Sequence, residues 1–163
     1  MLFSPLIEQA IELSAQWHDR TYRKSRWRDP AFDVPPEVDL RVPVMAHVTA
    51  VALTVQRAGW DDATVAAAFV HDVVEDANRF GAAMRLEQLA ALLGADVAAR
   101  VAQVTEQKYD AAGRWRPWRD RKEGYLEQLR TGTPEGAAIS LADKQHNLWT
   151  INAALALDVD VFR

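Results

Sequence analysis

Apolar side chains recur along most of the chain at the three- to four-residue spacing of amphipathic helices. The first such segment follows Ser4-Pro5, an N-cap residue with a proline at the first helical position, and has apolar residues at positions 6, 7, 10, 11 and 17. Similar signals predict helices over about 43–58, 61–77, 86–93, 94–106, 118–130 and 134–157. No segment alternates between apolar and polar residues as a half-buried strand does. The sequence therefore predicts an all-α fold of about seven or more helices.

Two segments interrupt the helical pattern. Four prolines break it between residues 26 and 43, so the connection over residues 26–46, ahead of His47, is predicted to be a long loop. The segment KYDAAGRWRPW, residues 107–117, is predicted to be an exposed loop. A chain of 163 residues has the length of one ordinary domain, so we expect a single domain over residues 1–163.

Composition narrows the possible functions. The chain is 49% hydrophobic and 26% charged, which is typical of a globular domain, and its net charge of −4 argues against a dedicated nucleic-acid binder. It has no cysteine, so any metal ion must be held by His, Asp or Glu. The longest uncharged run, residues 42–56, is too short to span a membrane, and the N-terminal segment lacks a basic leader. We therefore expect a cytoplasmic protein.

The segment FVHDVVEDA, residues 69–77, sets four ionisable side chains into an apolar run. On a continuous helix they would share one face, because His71, Glu75, Asp72 and Asp76 fall at about 0°, 40°, 100° and 140°. A solvated helix face is the structural alternative. A bound cation would instead compensate the charges, with His71 and Asp72 as ligands and the other two carboxylates beside its water.

Two other apolar helices each contain one unexplained residue of a metal-binding type. His47 lies in VMAHVTAVALTV and Asp143 lies in AAISLADKQHNL. A core histidine is the usual interpretation of the first, and a buried aspartate without a partner would be costly. A single metal site formed by His47, Asp143 and the pair His71-Asp72 is a simpler explanation than separate causes for each residue.

Two stretches combine basic and aromatic residues. RTYRKSRWR, residues 20–28, has five basic side chains around Tyr22 and Trp27, a composition suited to phosphate groups and a base. A solvated basic turn is the alternative. GRWRPWRDRK, residues 113–122, could line the same pocket, contact another subunit or form ordinary surface.

The order of these motifs resembles a known family. His47, the His-Asp pair at 71–72 and Asp143 resemble the His…His-Asp…Asp signature of HD-domain metal-dependent phosphohydrolases. The resemblance is strongest to the small RelA/SpoT-type alarmone hydrolases and runs from about residue 6 to 150. The segments that carry it are HDRTYRKS, VHDVVEDA, LGADVAARVAQVTEQK, RDRKEGY and SLADKQHNLWT. It implies an HD-domain helical bundle.

The resemblance also implies roles for individual residues. One divalent ion, typically manganese, would be held by His47, His71, Asp72 and Asp143, and Glu75 and Asp76 would orient and deprotonate a water. A small nucleotide would be bound by Arg23, Lys24, Ser25, Lys144 and Asn147. The implied reaction is hydrolysis of the 3′-pyrophosphate of guanosine tetra- or pentaphosphate.

Several positions depart from the family pattern. The connection over residues 26–46 is long, Arg20-Thr21 replaces a Gly-Gln pair, and Val48 replaces a proline. Ser140 and Trp149 stand where the family commonly has lysine and arginine. The alternatives are therefore a hydrolase of another nucleotide or of a phosphorylated dinucleotide cofactor, and a nucleotide-sensing module without turnover. The chain ends at Arg163, before the closing helices that are typical of the family. A homo-oligomer in which a partner subunit completes the pocket is therefore a further alternative.

Overall fold

The computed structural model describes residues 3–27, 35–156 and 159. Helices dominate this part of the chain, and the predicted all-α class is confirmed. Their bounds lie within a few residues of the prediction, with one exception described below. The seven helices are α1 (Pro5–Trp17), α2 (Val44–Arg57), α3 (Asp62–Phe69), α4 (Leu86–Leu93), α5 (Ala95–Val104), α6 (Trp118–Thr131) and α7 (Pro134–Leu155).

Side-chain caps begin three of the helices. The hydroxyl of Ser4 accepts a hydrogen bond from the Ile7 amide at the start of α1, and Thr133 caps the 22-residue helix α7 in the same way. Asp61 caps α3, because its carboxylate accepts from the backbone amide of Thr64 at 2.9 Å. Each cap satisfies an amide that has no partner within its helix, which is why these starts could be read from local sequence.

Helix α3 ends at Phe69, eight residues before the predicted end, and residues 70–76 form successive turns. The prediction of one helix to residue 77, with four ionisable side chains on a single helical face, is wrong. The Val70 amide is shared between the carbonyls of residues 66 and 67, and Nδ1 of His71 lies 2.7 Å from the carbonyl of Ala68. That carbonyl would accept from the Asp72 amide in a continuing helix, so the histidine replaces the helical bond and the helix ends.

A short antiparallel hairpin lies where the sequence indicated only loop. Strand β1 (Tyr22–Trp27) pairs with β2 (Arg41–Pro43), with a shift in register between its two ends. Of the segment between the strands, residues 28–34 lie outside the described part of the chain. The Arg41 guanidinium lies 4.0 Å from the centre of the Tyr22 ring, a cation–π contact across the hairpin. The pairing holds β1 against α2 and α7.

The core is built around α3, which packs against α1, α2, α5 and α7. Residues 64–69 of α3 are all buried, and the alanines at 66–68 let neighbouring helices approach closely. Among the buried ionisable side chains, His47, His71 and Asp143 meet at one edge of this core. No helix among the described residues is long and apolar enough to cross a lipid bilayer.

Candidate functional site

A cavity of about 280 Å³ opens at the edge of the core where α2, α7 and the turns after α3 meet. Imidazoles, carboxylates and cationic side chains dominate its lining. The polar lining residues are Arg23, His47, His71, Asp72, Glu75, Asp76, Glu106, Lys122, Tyr125, Ser140, Asp143, Lys144 and Asn147. The cavity therefore brings together most of the residues that the sequence indicated, although these lie far apart along the chain.

Two imidazoles and two carboxylates converge on one point of this cavity. Nε2 of His47 lies 3.2 Å from Oδ1 of Asp143 and 3.6 Å from Oδ2 of Asp72. Nε2 of His71 lies 3.2 Å from Oδ1 of Asp72 and 3.9 Å from Oδ1 of Asp143. One ligand atom each from His47, His71 and Asp143 falls within 4.8 Å of the others, which is close enough to hold a metal ion. Asp72 borders both histidines without belonging to that three-atom group.

The tautomer of His71 is fixed by the backbone. A carbonyl oxygen can only accept, so Nδ1 of His71 donates to Ala68, and in the neutral imidazole Nε2 is the nitrogen that keeps a lone pair. That buried Nε2 has no hydrogen-bond partner among the described residues, and it faces carboxylate oxygens that are also acceptors. Groups that all offer lone pairs are compatible when a cation lies between them, so the donor set fits a divalent metal.

His47 makes a different contact with its second nitrogen. Its Nδ1 lies 2.8 Å from Nδ1 of His146, one helical turn after Asp143 on α7. Burial lowers the pKa of His146 to about 4, and the nearby His47 and Arg23 act in the same direction. His146 is therefore neutral at pH 7. It was not among the residues that the sequence indicated.

Asp143 is held by its neighbours on α7. Its two carboxylate oxygens accept from Nζ of Lys144 and from Nδ2 of Asn147, each at 2.5 Å. Burial alone would raise the pKa of Asp143, but His47, His71 and Lys144 together hold it well below its usual value. The amide oxygen of Asn147 accepts in turn from Arg23 of β1 at 2.5 Å. A continuous chain of contacts thus links the buried carboxylate to the hairpin.

The two acidic residues that follow the His-Asp pair have different surroundings. The carboxylate of Glu75 accepts from the Glu106 amide at 2.8 Å and lies 3.2 Å from Nζ of Lys108. The carboxylate of Asp76 makes no hydrogen bond or ion pair with any residue described here, and burial, reinforced by Asp72, raises its pKa. Its backbone carbonyl accepts from the indole N–H of Trp17 at 2.8 Å. Asp76 therefore has a free carboxylate on an anchored backbone.

A second cavity, of about 410 Å³, adjoins the first and shares Arg23, Asp72, Asp76 and Asn147 with it. Lys24 lines this second cavity, together with apolar side chains that include Val44 and Ile151. The side chain of Ser25 lies outside the described part of the structure. The predicted substrate-binding residues thus divide between the two cavities, with Lys144 in the first and Lys24 in the second.

Sequence reasoning missed several residues of the first cavity. Lys122 lines it and pairs with Glu106 at 2.5 Å, and Arg121 binds the same carboxylate at 2.7 Å. The hydroxyl of Tyr125 lies 2.9 Å from that of Ser140. Both cations belong to the basic and aromatic stretch of residues 113–122. Lys122 of this stretch lines the pocket, whereas its tryptophans at 115 and 118 are exposed. Tyr125 ends the segment RDRKEGY, which carries part of the family resemblance, but the sequence indicated no role for its side chain.

A protein-family model described as HD domain matches residues 36–160. Over 114 residues, or 68% of this chain, the sequence is 32% identical to a probable guanosine-3′,5′-bis(diphosphate) 3′-pyrophosphohydrolase of Synechocystis. The chain spans 14% of the length of that relative.

Solved structures agree with the family match. A metazoan orthologue of SpoT, described as hydrolysing ppGpp and taking part in starvation responses, superposes with a TM-score of 0.68 and 26% identity over 94% of this chain and 74% of its own. A Listeria monocytogenes protein superposes with a TM-score of 0.57 and 33% identity over 77% of this chain and 68% of its own.

Proposed function

The chain belongs to the HD domain family, and from this premise we propose that it is a metal-dependent phosphohydrolase that removes the 3′-pyrophosphate of guanosine tetra- or pentaphosphate. One observation carries the proposal. A single cavity combines a His/His/Asp cluster with a free carboxylate and with the cationic side chains of Arg23, Lys122 and Lys144. The activities printed for the Synechocystis relative and for the metazoan structure support the choice of substrate.

We assign His47, His71, Asp72 and Asp143 as the ligands of one divalent cation. The unpartnered Nε2 of His71 supports this assignment, because a buried imidazole lone pair facing carboxylates needs a positive partner. Mn²⁺ suits the donor set, because it accepts both carboxylate oxygen and imidazole nitrogen. A bound divalent cation would supply Lewis acidity and lower the pKa of a water molecule.

Asp76 is our candidate for the proton acceptor, and Glu75 is our candidate for orienting the water. Asp76 lines the cavity, and its carboxylate has no hydrogen-bond or ion-pair partner in the part of the chain that the structure describes, so it is available to take a proton. Trp17 holds the Asp76 backbone through its carbonyl, which limits the positions that the carboxylate can adopt. The Glu106 amide and Lys108 fix the carboxylate of Glu75 at the cavity wall.

We propose that the two adjoining cavities divide the nucleotide between them. Lys122 and Lys144 offer ammonium groups to phosphate oxygens in the first cavity, and Arg23 reaches both cavities. The second cavity, with Lys24 and apolar side chains, would receive the nucleoside. A nucleotide contact by Ser25 stays a proposal from the sequence alone. Asn147 borders both and carries amide groups suited to ribose or phosphate oxygens.

We further propose that residues 1–163 form one hydrolase domain of HD type. Six of the seven helices in the described part contribute residues to one hydrophobic core, and α6 packs against α5 and α7, which supports this assignment. The partner implied by the two cavities is a small nucleotide, and the net charge of −4 favours such a ligand over a nucleic acid.

A nucleotide panel tests the proposed function. The Mn²⁺-loaded protein is incubated with guanosine 3′,5′-bis(diphosphate), GTP and a phosphorylated dinucleotide cofactor, and released pyrophosphate and orthophosphate are measured separately. We expect the wild type to release pyrophosphate from guanosine 3′,5′-bis(diphosphate). A matched preparation of the Asp76→Asn variant should release none. If the protein hydrolyses another nucleotide faster, that nucleotide replaces guanosine 3′,5′-bis(diphosphate) as the substrate. Tight nucleotide binding without any turnover would identify a sensing module instead.

A further inference from the structure

The buried contact between His47 and His146 links the candidate metal site to the surface. Their Nδ1 atoms lie 2.8 Å apart, and their ring centres lie 4.8 Å apart at an angle of 52°. The side chain of His47 is 1% exposed, whereas His146 is half-buried and lines a surface groove with Thr54 and Gln145. The two rings belong to different helices, α2 and α7, so their contact depends on the tertiary fold.

A hydrogen bond between the two Nδ1 atoms needs one proton, and the ring that carries this proton determines which nitrogen of His47 can bind a cation. A neutral imidazole carries one N–H, and the nitrogen without hydrogen is the one that can bind a cation. Nε2 of His47 faces Asp143 at 3.2 Å and Asp72 at 3.6 Å. For Nε2 to have a free lone pair there, the proton must be on Nδ1, and His146 must accept it in a hydrogen bond.

The other histidine of the cluster obtains the same tautomer from the backbone. Nδ1 of His71 donates to the carbonyl of Ala68, a partner that no side-chain substitution removes. At His47 the corresponding acceptor is a side chain, because Nδ1 has His146 as its partner. The tautomer of His71 is therefore set by a backbone acceptor, and the tautomer of His47 by a side-chain acceptor.

We propose that His146 is a positioning residue of the metal site: its Nδ1 accepts a hydrogen bond from Nδ1 of His47, and this bond holds His47 in the tautomer whose Nε2 binds the cation. This inference rests on the proposed metal-dependent function and adds His146 as a residue that acts on the metal through His47. Removal of such an outer hydrogen bond typically weakens metal affinity 10- to 100-fold.

Two substitutions separate this role from simple packing. His146→Leu fills a similar space and cannot accept a hydrogen bond, whereas in His146→Asn the amide oxygen can occupy about the position of Nδ1. Because His146 is half-buried at a groove, both variants change a site that solvent already reaches. Calorimetric titration with Mn²⁺ then compares the variants with the wild type. We expect the leucine variant to bind Mn²⁺ about 10–100-fold more weakly and the asparagine variant to retain most of the affinity.

The outcomes separate this inference from the proposed function. A wild-type protein that binds no Mn²⁺ would refute the metal site itself. Mn²⁺ binding that is equally tight in the wild type and the leucine variant would refute only the role of His146.

A second measurement needs no variant. In long-range ¹H–¹⁵N spectra of the wild type loaded with diamagnetic Zn²⁺, we expect His47 to carry its proton on Nδ1. A proton on Nε2 of His47 in that state would overturn the proposal.

Discussion

Asp143→Asn should remove most of the stabilisation that Mn²⁺ gives to the folded protein. At a Mn²⁺ concentration 100-fold above Kd, a ligand that binds only the folded state raises the free energy of unfolding by about 2.7 kcal/mol. In domains of 150–250 residues, 1 kcal/mol moves Tm by about 2–4 °C. The wild type of 163 residues is therefore expected to gain about 5–11 °C in Tm.

The structure indicates how much of this gain the variant should lose. Oδ1 of Asp143 lies 3.2 Å from Nε2 of His47 and 3.9 Å from Nε2 of His71, so this carboxylate is shared by both imidazoles. Outer partners of a metal site already contribute 10- to 100-fold in affinity, and we expect loss of a direct ligand to cost at least about 100-fold. At the same Mn²⁺ concentration the remaining stabilisation is RT ln 2, about 0.4 kcal/mol, or about 1–2 °C.

Thermal unfolding followed by circular dichroism measures this difference. Each protein is freed of metal with a chelator and then melted with and without Mn²⁺. Asp62→Asn is the matched control, because Asp62 is exposed in the first turn of α3 and lies outside the cavity lining. It should keep the full shift of the wild type. A folded Asp143→Asn protein with the same Mn²⁺-dependent shift as the wild type would refute the assignment of this ligand.

Three further substitutions test separate parts of the account. Asp76→Asn should lower kcat for pyrophosphate release at least about 100-fold while the Mn²⁺-dependent Tm shift remains, because it removes the proton acceptor and no metal ligand. Trp17→Phe removes the N–H that donates to the Asp76 carbonyl, and loss of one hydrogen bond predicts a kcat about 2–10-fold lower, with the same Tm shift. Leu89→Ala should lower the free energy of unfolding in urea by about 2–5 kcal/mol, because Leu89 is fully buried in the core.

Each of these predictions has a result that contradicts it. If Asp76→Asn turns over substrate at the wild-type rate, Asp76 is not the proton acceptor. Unchanged kcat in Trp17→Phe would make that hydrogen bond irrelevant to catalysis. A loss below about 1 kcal/mol in Leu89→Ala would mean that the site is less tightly packed than the structure indicates.

The helix starts could be read from the sequence because their signals are local. Ser4-Pro5 and Thr133-Pro134 each set a cap and a proline next to each other, and the caps form as expected. The early end of α3 could not be read in this way. It depends on a side-chain contact, between His71 and the Ala68 carbonyl, that competes with the helical hydrogen bond.

The hairpin was missed for a different reason. Its strands are six and three residues long, with no alternating pattern, and their pairing joins segments separated by a long connection. Strand propensity carries little information in such short segments. The hairpin nevertheless matters for the site, because it holds Arg23 within reach of Asn147.

The site itself was partly predictable. His47, His71 and Asp143 were conspicuous as polar residues in apolar segments, and the structure brings one ligand atom of each within 4.8 Å of the others. Residues that act through such neighbours were not conspicuous. His146 and Trp17 each contact a site residue through one hydrogen bond between distant segments, and single-sequence patterns do not register such contacts.

The proposed reaction of this chain releases pyrophosphate from the guanosine 3′ position with the help of a divalent cation. The most direct measurement separates GDP, pyrophosphate and orthophosphate by anion-exchange chromatography after incubation with guanosine 3′,5′-bis(diphosphate), in Mn²⁺ and in chelator. We expect one GDP and one pyrophosphate per substrate consumed in Mn²⁺, and no product in chelator. Orthophosphate as the only phosphate product, or equal turnover in chelator, would contradict it.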